Sequence, residues 1–167
     1  QLRGKHIGIA KAADRTHQLF AMDPVTRTAS QLTRFQPPEA YVRTGIGSAV
    51  IASLGGSPQL WFDRAGTIWR SDGTAAGTAP VLELDPVRTM DDLGNGRLLI
   101  WTEDKLWVFD GTSASPLGSW SYPHTIRIEQ VTNPRLNICY FIEASRTLWR
   151  TDGTPAGTRV VMSKPEP

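Results

Sequence analysis

Histidine, cysteine and the acidic residues are the side chains of this 167-residue sequence that could bind a metal or act as nucleophile or base. The three histidines, His6, His17 and His124, are far apart and show no paired spacing, and Cys139 is the single cysteine. A zinc site needs more ligands at closer spacing. Cys139 lies in an apolar run without a neighbouring basic group, which predicts a buried, inert thiol. The sequence therefore predicts no metal and no cofactor.

Motifs for nucleophilic catalysis and nucleotide binding are missing from the sequence. It contains no G-x-S-x-G, no G-x-G-x-x-G before a helix and no P-loop. Ser48, in the string GIGSAV, is interpreted as a small residue within a strand. We predict that the chain is not an enzyme. A hydrolase that uses two carboxylates stays open as a lesser alternative, because any two of 16 acidic residues could meet.

Charge and hydropathy narrow the class of partner. The 18 basic residues nearly balance the 16 acidic ones, the net charge is +2, and the basic residues are scattered. This pattern is typical of a solvated surface and does not predict nucleic-acid binding. No apolar stretch approaches the length of a transmembrane helix, so none is predicted. Hydrophobic residues make up 40% of the chain, enough for one folded domain over 1–167.

A repeat organises the sequence. Residues 67–78 read TIWRSDGTAAGT and residues 147–158 read TLWRTDGTPAGT, with nine of twelve positions identical. A third copy, KLWVFDGTSASP, begins at residue 105, and a weaker one, QLFAMDPVTRTA, begins at residue 18. The aromatic anchors Phe20, Trp69, Trp107 and Trp149 are 49, 38 and 42 residues apart. Periods near 40–45 with such a signature are typical of four-stranded propeller blades.

Each repeat divides into short strands separated by glycine and proline. Several strands are apolar without alternation, such as LLIW and ICYFI, which indicates that both of their faces are covered. Stacked blades cover sheets in this way. We predict an all-β, β-propeller-like fold with four blades of mostly four antiparallel strands, in units of about 5–36, 46–85, 87–121 and 124–163.

The Asp-Gly-Thr element predicts a turn after each third strand. An aspartate can accept a hydrogen bond from the backbone two residues on, and glycine tolerates a positive φ. We expect Gly73, Gly111 and Gly153 in exposed turns with positive φ, and we expect Trp69, Trp107 and Trp149 to be mostly buried at equivalent positions. The repeat residues that carry this structural prediction are Phe20, Trp69, Asp72, Gly73, Trp107, Asp110, Gly111, Trp149, Asp152 and Gly153. A calcium site is disfavoured, since each loop offers one aspartate.

The string LWR[ST]DGTxAGTxxV resembles the ELWxxDGTxxGTxLV repeats of large bacterial proteins that are secreted or associated with the cell envelope. It matches two units closely, one partly and one faintly, and the initial Glu of that pattern is replaced by Thr67, Lys105 and Thr147. The resemblance implies a propeller-like fold and an extracytoplasmic location (secreted, periplasmic or cell surface). It implies no activity.

Two functions of different class follow from these observations. The first is a non-enzymatic interaction scaffold whose loops bind a protein at the cell envelope, and the alternative is a lectin-like propeller that binds glycans. Aromatic residues outside the repeated position are the binding candidates for either: Trp61, Trp101, Trp120 and Tyr122. Burial of all four would remove the main support for the glycan alternative.

Ring closure follows from a strand count. The first unit supplies only three strands, at 5–12, 17–23 and 30–35, whereas the other units supply four each. An incomplete blade leaves unpaired backbone and an open face. We therefore expect these blades to be part of a larger ring of 7–8 blades, completed by further sequence or by a second chain. Closure by four blades alone is the alternative.

Overall fold

The computed structural model describes residues 1–36, 45–120, 131–143 and 147–164. Those residues form strands and turns without a helix. The strands of the first two units are β1 (His6–Lys11), β2 (His17–Met22), β3 (Ala29–Gln31), β4 (Ile46–Ala52), β5 (Gln59–Arg64), β6 (Thr67–Ser71) and β7 (Ala79–Glu83). The strands of the last two units are β8 (Thr89–Gly94), β9 (Arg97–Trp101), β10 (Lys105–Phe109), β11 (Ala114–Ser119), β12 (Val131–Asn133), β13 (Ile138–Glu143), β14 (Thr147–Thr151) and β15 (Arg159–Ser163).

These strands form four separate antiparallel sheets, one for each predicted unit. The first sheet is β1-β2-β3, and the other three are β4-β5-β6-β7, β8-β9-β10-β11 and β12-β13-β14-β15. Neighbours in sequence are neighbours in the sheet throughout, as expected for blades that are up-and-down meanders. The predicted fold class is confirmed, including the three-stranded first blade. In the fourth unit, predicted over 124–163, the first strand is described only from Val131, and residues 124–130 lie outside the described residues.

Strand register places the repeated tryptophans at equivalent positions. Trp69 pairs with Phe62 and Pro80, and Trp149 pairs with Phe141 and Val160. In the third blade the same position, Trp107, pairs with Ile100 and Pro116. The ladder to the fourth strand shifts register immediately before each tryptophan. This repeated bulge shows that the sequence repeat is also a repeat of backbone geometry.

The first blade aligns with the others through its second strand. Phe20 in β2 precedes Asp23 by three residues, as Trp69 precedes Asp72. Strands β1, β2 and β3 therefore correspond to the second, third and fourth strands of the other blades. Strand β8 lies beside β4 and β12, so the first strands of blades two to four are neighbours.

The core lies between the blades. Three hydrophobic clusters fill the junctions between successive sheets. The second-strand runs QLWFDR and RLLIW are buried at nearly every position because each of these sheets is covered on both faces. Trp69, Trp107 and Trp149 pack against these clusters while staying partly exposed at one edge. All three lie at equivalent positions and are partly buried, whereas they were expected to be mostly buried. By contrast, β15 is exposed along its whole length.

Candidate functional site

A cleft of about 680 Å³ lies between the second and third blades. Its walls come from the start of β4, the β5–β6 turn, the segment before β8 and the residues that follow β9. The lining residues are Gly45, Ile46, Gly47, Ser48, Asp63, Ala65, Gly66, Pro86, Val87, Arg88 and Glu103. The described lining places three charged side chains in a concavity, and concave sites with a few polar groups are where ligands usually bind.

Asp63 is the buried charge of the cleft. The pairing of β4 with β5 is irregular between Ile46 and Ala49, so Gly47 and Ser48 leave the regular ladder. The Asp63 carboxylate accepts a hydrogen bond from the Ser48 backbone N–H, with 2.6 Å between N and Oδ1. A Cβ at Gly47 would collide with this carboxylate. The bulge and its glycine therefore make room for a carboxylate that is 5% exposed.

Ser48 also connects the two blades. Its hydroxyl oxygen accepts a hydrogen bond from the Met90 backbone N–H, at 2.8 Å. Met90 belongs to β8, the first strand of the third blade. The series Asp63, Ser48 and Met90 thus joins two sheets through hydrogen bonds at the base of the cleft, which fixes their relative position.

An ion pair forms the rim of the cleft. The Arg88 guanidinium lies 3.1 Å from the Glu103 carboxylate, measured from Nη2 to Oε1. The Arg88 backbone N–H donates to the Trp101 carbonyl at 2.7 Å, which holds this residue beside the third blade. With Asp63, the lining carries two carboxylates and one guanidinium. Either carboxylate can pair with a cationic group on a ligand.

The aromatic residues predicted to form a binding surface are in the core, so that prediction is wrong for three of them. Trp61 is 1% exposed, Trp101 is fully buried, and Trp120 is 9% exposed. Alternating positions along these strands pack on opposite neighbouring blades, so neither face of the sheet is free. Tyr122 lies outside the described residues.

Trp120 closes the junction between the third and fourth blades. Its ring meets that of Trp149 edge to face, with centroids 5.2 Å apart. Phe35 does the same to Trp69 at the first junction, at 5.0 Å. At these two junctions, an aromatic residue that follows the last strand of one blade packs on the repeated tryptophan of the next blade. Such edge-to-face pairs stabilise packing beyond the area they bury.

The Asp-Gly-Thr turns are structural elements with their own hydrogen bonds. Asp72 Oδ1 accepts from the Thr74 backbone N–H at 3.0 Å and from the Thr74 hydroxyl at 2.7 Å. Asp152 and Thr154 repeat both distances. The threonine hydroxyl, followed by its backbone N–H, lowers the pKa of each aspartate. The described part of the chain holds no group of three or more potential metal ligands.

The turn glycines have the predicted backbone conformation in a different environment. The φ angles are 87°, 98° and 81° at Gly73, Gly111 and Gly153, which confirms the turn assignment. The prediction of exposure is wrong for Gly73 and Gly153, which are buried, whereas Gly111 is partly buried in a turn whose neighbouring residues Asp110 and Thr112 are exposed.

The burial of the turn glycines comes from the preceding blade. Gly73 faces Leu2, Gly111 faces Leu54, and Gly153 faces Leu93. Each of these leucines comes shortly before the second strand of its blade. At all three junctions, therefore, a leucine of one blade packs on the turn glycine of the following blade.

Cys139 is buried and carries a free thiol. Burial raises its pKa to about 11. The thiol is therefore protonated at neutral pH and unsuited to nucleophilic attack.

The cleft residues Asp63, Arg88 and Glu103 were not predicted from the sequence to form a site. Ser48 was interpreted as a small residue of a strand, and it instead bonds to both blades. The nearest signal in the sequence is the pair of glycines around Ile46, since glycine within a strand often marks a bulge. It did not indicate which carboxylate the bulge would receive.

Comparison with known proteins supports the fold. No protein-family model and no curated protein matches the sequence. A chain from the crystal structure of a nidogen/laminin complex is similar, with a TM-score of 0.52 and 15% identity over 96% of this chain and 62% of that one. The crystal structure of the tricorn protease gives a TM-score of 0.49 and 12% identity over 89% of this chain and 15% of that one.

At such identities the first likeness shows the fold alone, and this chain spans less than two thirds of either structure's chain. The fold is that of a β-propeller scaffold. None of the described residues belongs to a helix with the length and apolar character needed to span a membrane.

Proposed function

We propose that this chain is a non-enzymatic propeller scaffold that binds a protein partner through the cleft between its second and third blades. The observation that carries the proposal is the combination of size and charge at this cleft. A volume of about 680 Å³ accommodates several residues of an extended loop. Backbone groups at the β4 bulge and the acidic lining supply hydrogen-bond partners for such a loop.

The partner's contact is a lysine or arginine side chain. Glu103, whose side chain is 50% exposed at the rim, is the first carboxylate that an entering cation meets. The Arg88 side chain is 28% exposed beside Glu103, so its guanidinium can donate a hydrogen bond to a carbonyl oxygen of the same loop. A basic residue next to an accessible carbonyl therefore fits the cleft.

A protein partner is favoured over a glycan or a reaction substrate. Sugar sites commonly stack an aromatic ring on the ligand, and the described lining of the cleft contains none. Three of the four aromatic candidates are buried. The Ser48 hydroxyl accepts the Met90 N–H, and the described lining offers no histidine as a base to activate it. An extracytoplasmic location, which the repeat resemblance suggests, is part of the proposal.

The test is a selection from a displayed peptide library against the immobilised chain, followed by affinity measurements for the enriched peptides. We expect peptides with a lysine or arginine whose binding is lost in Glu103→Lys. The matched control is Glu83→Lys, which makes the same charge change on the exposed end of β7. A glycan array is run beside the selection.

Two results contradict the proposal. The first is binding that Glu103→Lys and Glu83→Lys weaken equally, since this would indicate a nonspecific charge effect. The second is a glycan signal from a chain that enriches no peptide, which would favour the lectin-like alternative.

A further inference from the structure

The forward face of a blade, defined as the side that packs on the next blade along the chain, is occupied at each junction within this molecule. One forward position lies in the second strand. Ile7, Trp61 and Leu99 hold it in the first three blades, and the last two are 1% exposed. The register gives Tyr140 the same position in the fourth blade. Tyr140 is 39% exposed.

The fourth blade also has a leucine close before its second strand. Leu93, the leucine of the third blade, lies at the bulge of β8 and is fully buried against Gly153. Leu136 lies in the turn between β12 and β13, not at the register position of Leu93, and is 64% exposed. A leucine with this exposure has no apolar environment of its own, whereas the leucines that precede the other three second strands each have a glycine to pack on.

The fourth strand repeats the pattern. Val81 and Leu82 pack in the junction between the second and third blades. Strand register aligns them with Val161 and Met162, which are 50% and 64% exposed. Val131 of β12 is also exposed. The forward face of the fourth blade therefore exposes several large apolar side chains at positions that are packed at junctions within the chain.

We propose that this face docks a further blade of the same repeat, one whose turn after the third strand carries glycine. The three internal junctions show what such a partner must present: a glycine with positive φ opposite Leu136 and an apolar sheet opposite Tyr140 and Val161. The docked partner is therefore a blade that contains an Asp-Gly-Thr turn.

A second copy of this chain fits less well. Its uncovered blade is the first, where Pro24 stands at the glycine position and Val25 is exposed. Proline cannot adopt the positive φ of the turn glycines, and its ring would take up space that the leucine needs.

The three methionines report on docking independently. Met162 lies on the proposed surface, Met22 is exposed on the first blade at 49%, and Met90 is buried. Oxidation by hydrogen peroxide, followed by peptide mass spectrometry, gives a rate for each. Three chains are compared: the natural one, one extended at its end by a copy of residues 87–120, and one extended by a copy of residues 46–120. The longer copy contains two blades that already pack on each other.

We expect extension to slow oxidation of Met162 roughly tenfold, because a packed thioether is shielded from oxidant. Met22 should keep its rate. Replacing the turn glycine by valine in the first appended blade should restore fast oxidation of Met162. Fast oxidation in both extended chains overturns the proposal. Protection of Met162 and Met22 together in the natural chain, rising with concentration alongside a doubled mass in light scattering, also overturns it and identifies a second copy as the occupant.

Discussion

Substituting the turn glycines by alanine tests the packing of each blade's leucine on the turn glycine of the next blade. All three glycines have positive φ, so alanine costs roughly 1–2 kcal/mol in backbone strain at each position. The packing against the preceding blade differs. A Cβ at Gly73 would lie 3.5 Å from the nearest Leu2 carbon, which is ordinary contact. A Cβ at Gly153 would lie 2.6 Å from Leu93 Cδ2, and Leu93 is fully buried.

The expected free energies of unfolding follow from these two terms. Gly73→Ala should lose about 1–2 kcal/mol, the backbone term alone. Gly153→Ala should lose about 2–5 kcal/mol, because overpacking a buried contact adds about 1–3 kcal/mol. Gly111→Ala should fall between them, since Leu54 Cβ is 3.1 Å from the added carbon. Gly153→Val should be at least as destabilising as Gly153→Ala.

Urea unfolding followed by tryptophan fluorescence gives these values by linear extrapolation, provided that the transition is two-state. Gly56→Ala is the matched control, since Gly56 lacks a positive φ and a Cβ there meets no atom within 4 Å. Equal losses of unfolding free energy at Gly73 and Gly153 would refute the proposed packing of Leu93 on Gly153. A loss at Gly153 no larger than that of the Gly56→Ala control would also refute it.

Three further predictions concern acid, the thiol and the blade junction. The pKa values of Asp72, Asp110 and Asp152 lie below the usual 3.8 because of hydrogen bonds chiefly from Thr74, Ser113 and Thr154. The stabilisation from these hydrogen bonds is therefore complete above about pH 4 and is lost as the pH falls through the lower pKa values of the folded chain. The urea midpoint should drop in that range, and it should drop less steeply with pH in Asp152→Asn. The same pH dependence of the midpoint in Asp152→Asn would contradict the turn hydrogen bonds. Cys139, with a pKa of about 11, should react with a thiol reagent at pH 8 only as fast as the chain unfolds, and immediate labelling of the folded chain would show that it is exposed. Ser48→Ala should cost about 1–3 kcal/mol by leaving the Met90 N–H without its acceptor, whereas Ser57→Ala, an exposed control, should cost almost nothing.

The fold was largely predictable from the sequence because its information is local and repeated. A turn aspartate, a glycine and a tryptophan recur in fixed order, and each specifies its own hydrogen bonds or packing. The unalternating strands indicated two covered faces, and the three-stranded first blade followed from counting. All of these features belong to one unit at a time.

The candidate site was not predictable because it depends on contacts between units. Asp63 and Ser48 are 15 residues apart, and Ser48 and Met90 are 42 apart. Trp61 and Trp101 were expected at a surface because the repeat does not contain them, yet strand alternation directs them into neighbouring blades. The turn glycines were expected to be exposed because the leucines that cover them belong to the preceding unit. Sequence periodicity identifies the unit without specifying what its neighbour contributes.

Methyl nuclear Overhauser spectroscopy can observe whether each turn glycine packs on a leucine of the preceding blade. With leucine methyl groups labelled, we expect contacts between the δ-methyls of Leu2 and Gly73 Hα, Leu54 and Gly111 Hα, and Leu93 and Gly153 Hα. Leu136, which is exposed in this chain, should show no contact to a turn glycine. Absence of the Leu54 and Leu93 contacts in a folded sample would contradict the stacking of the blades.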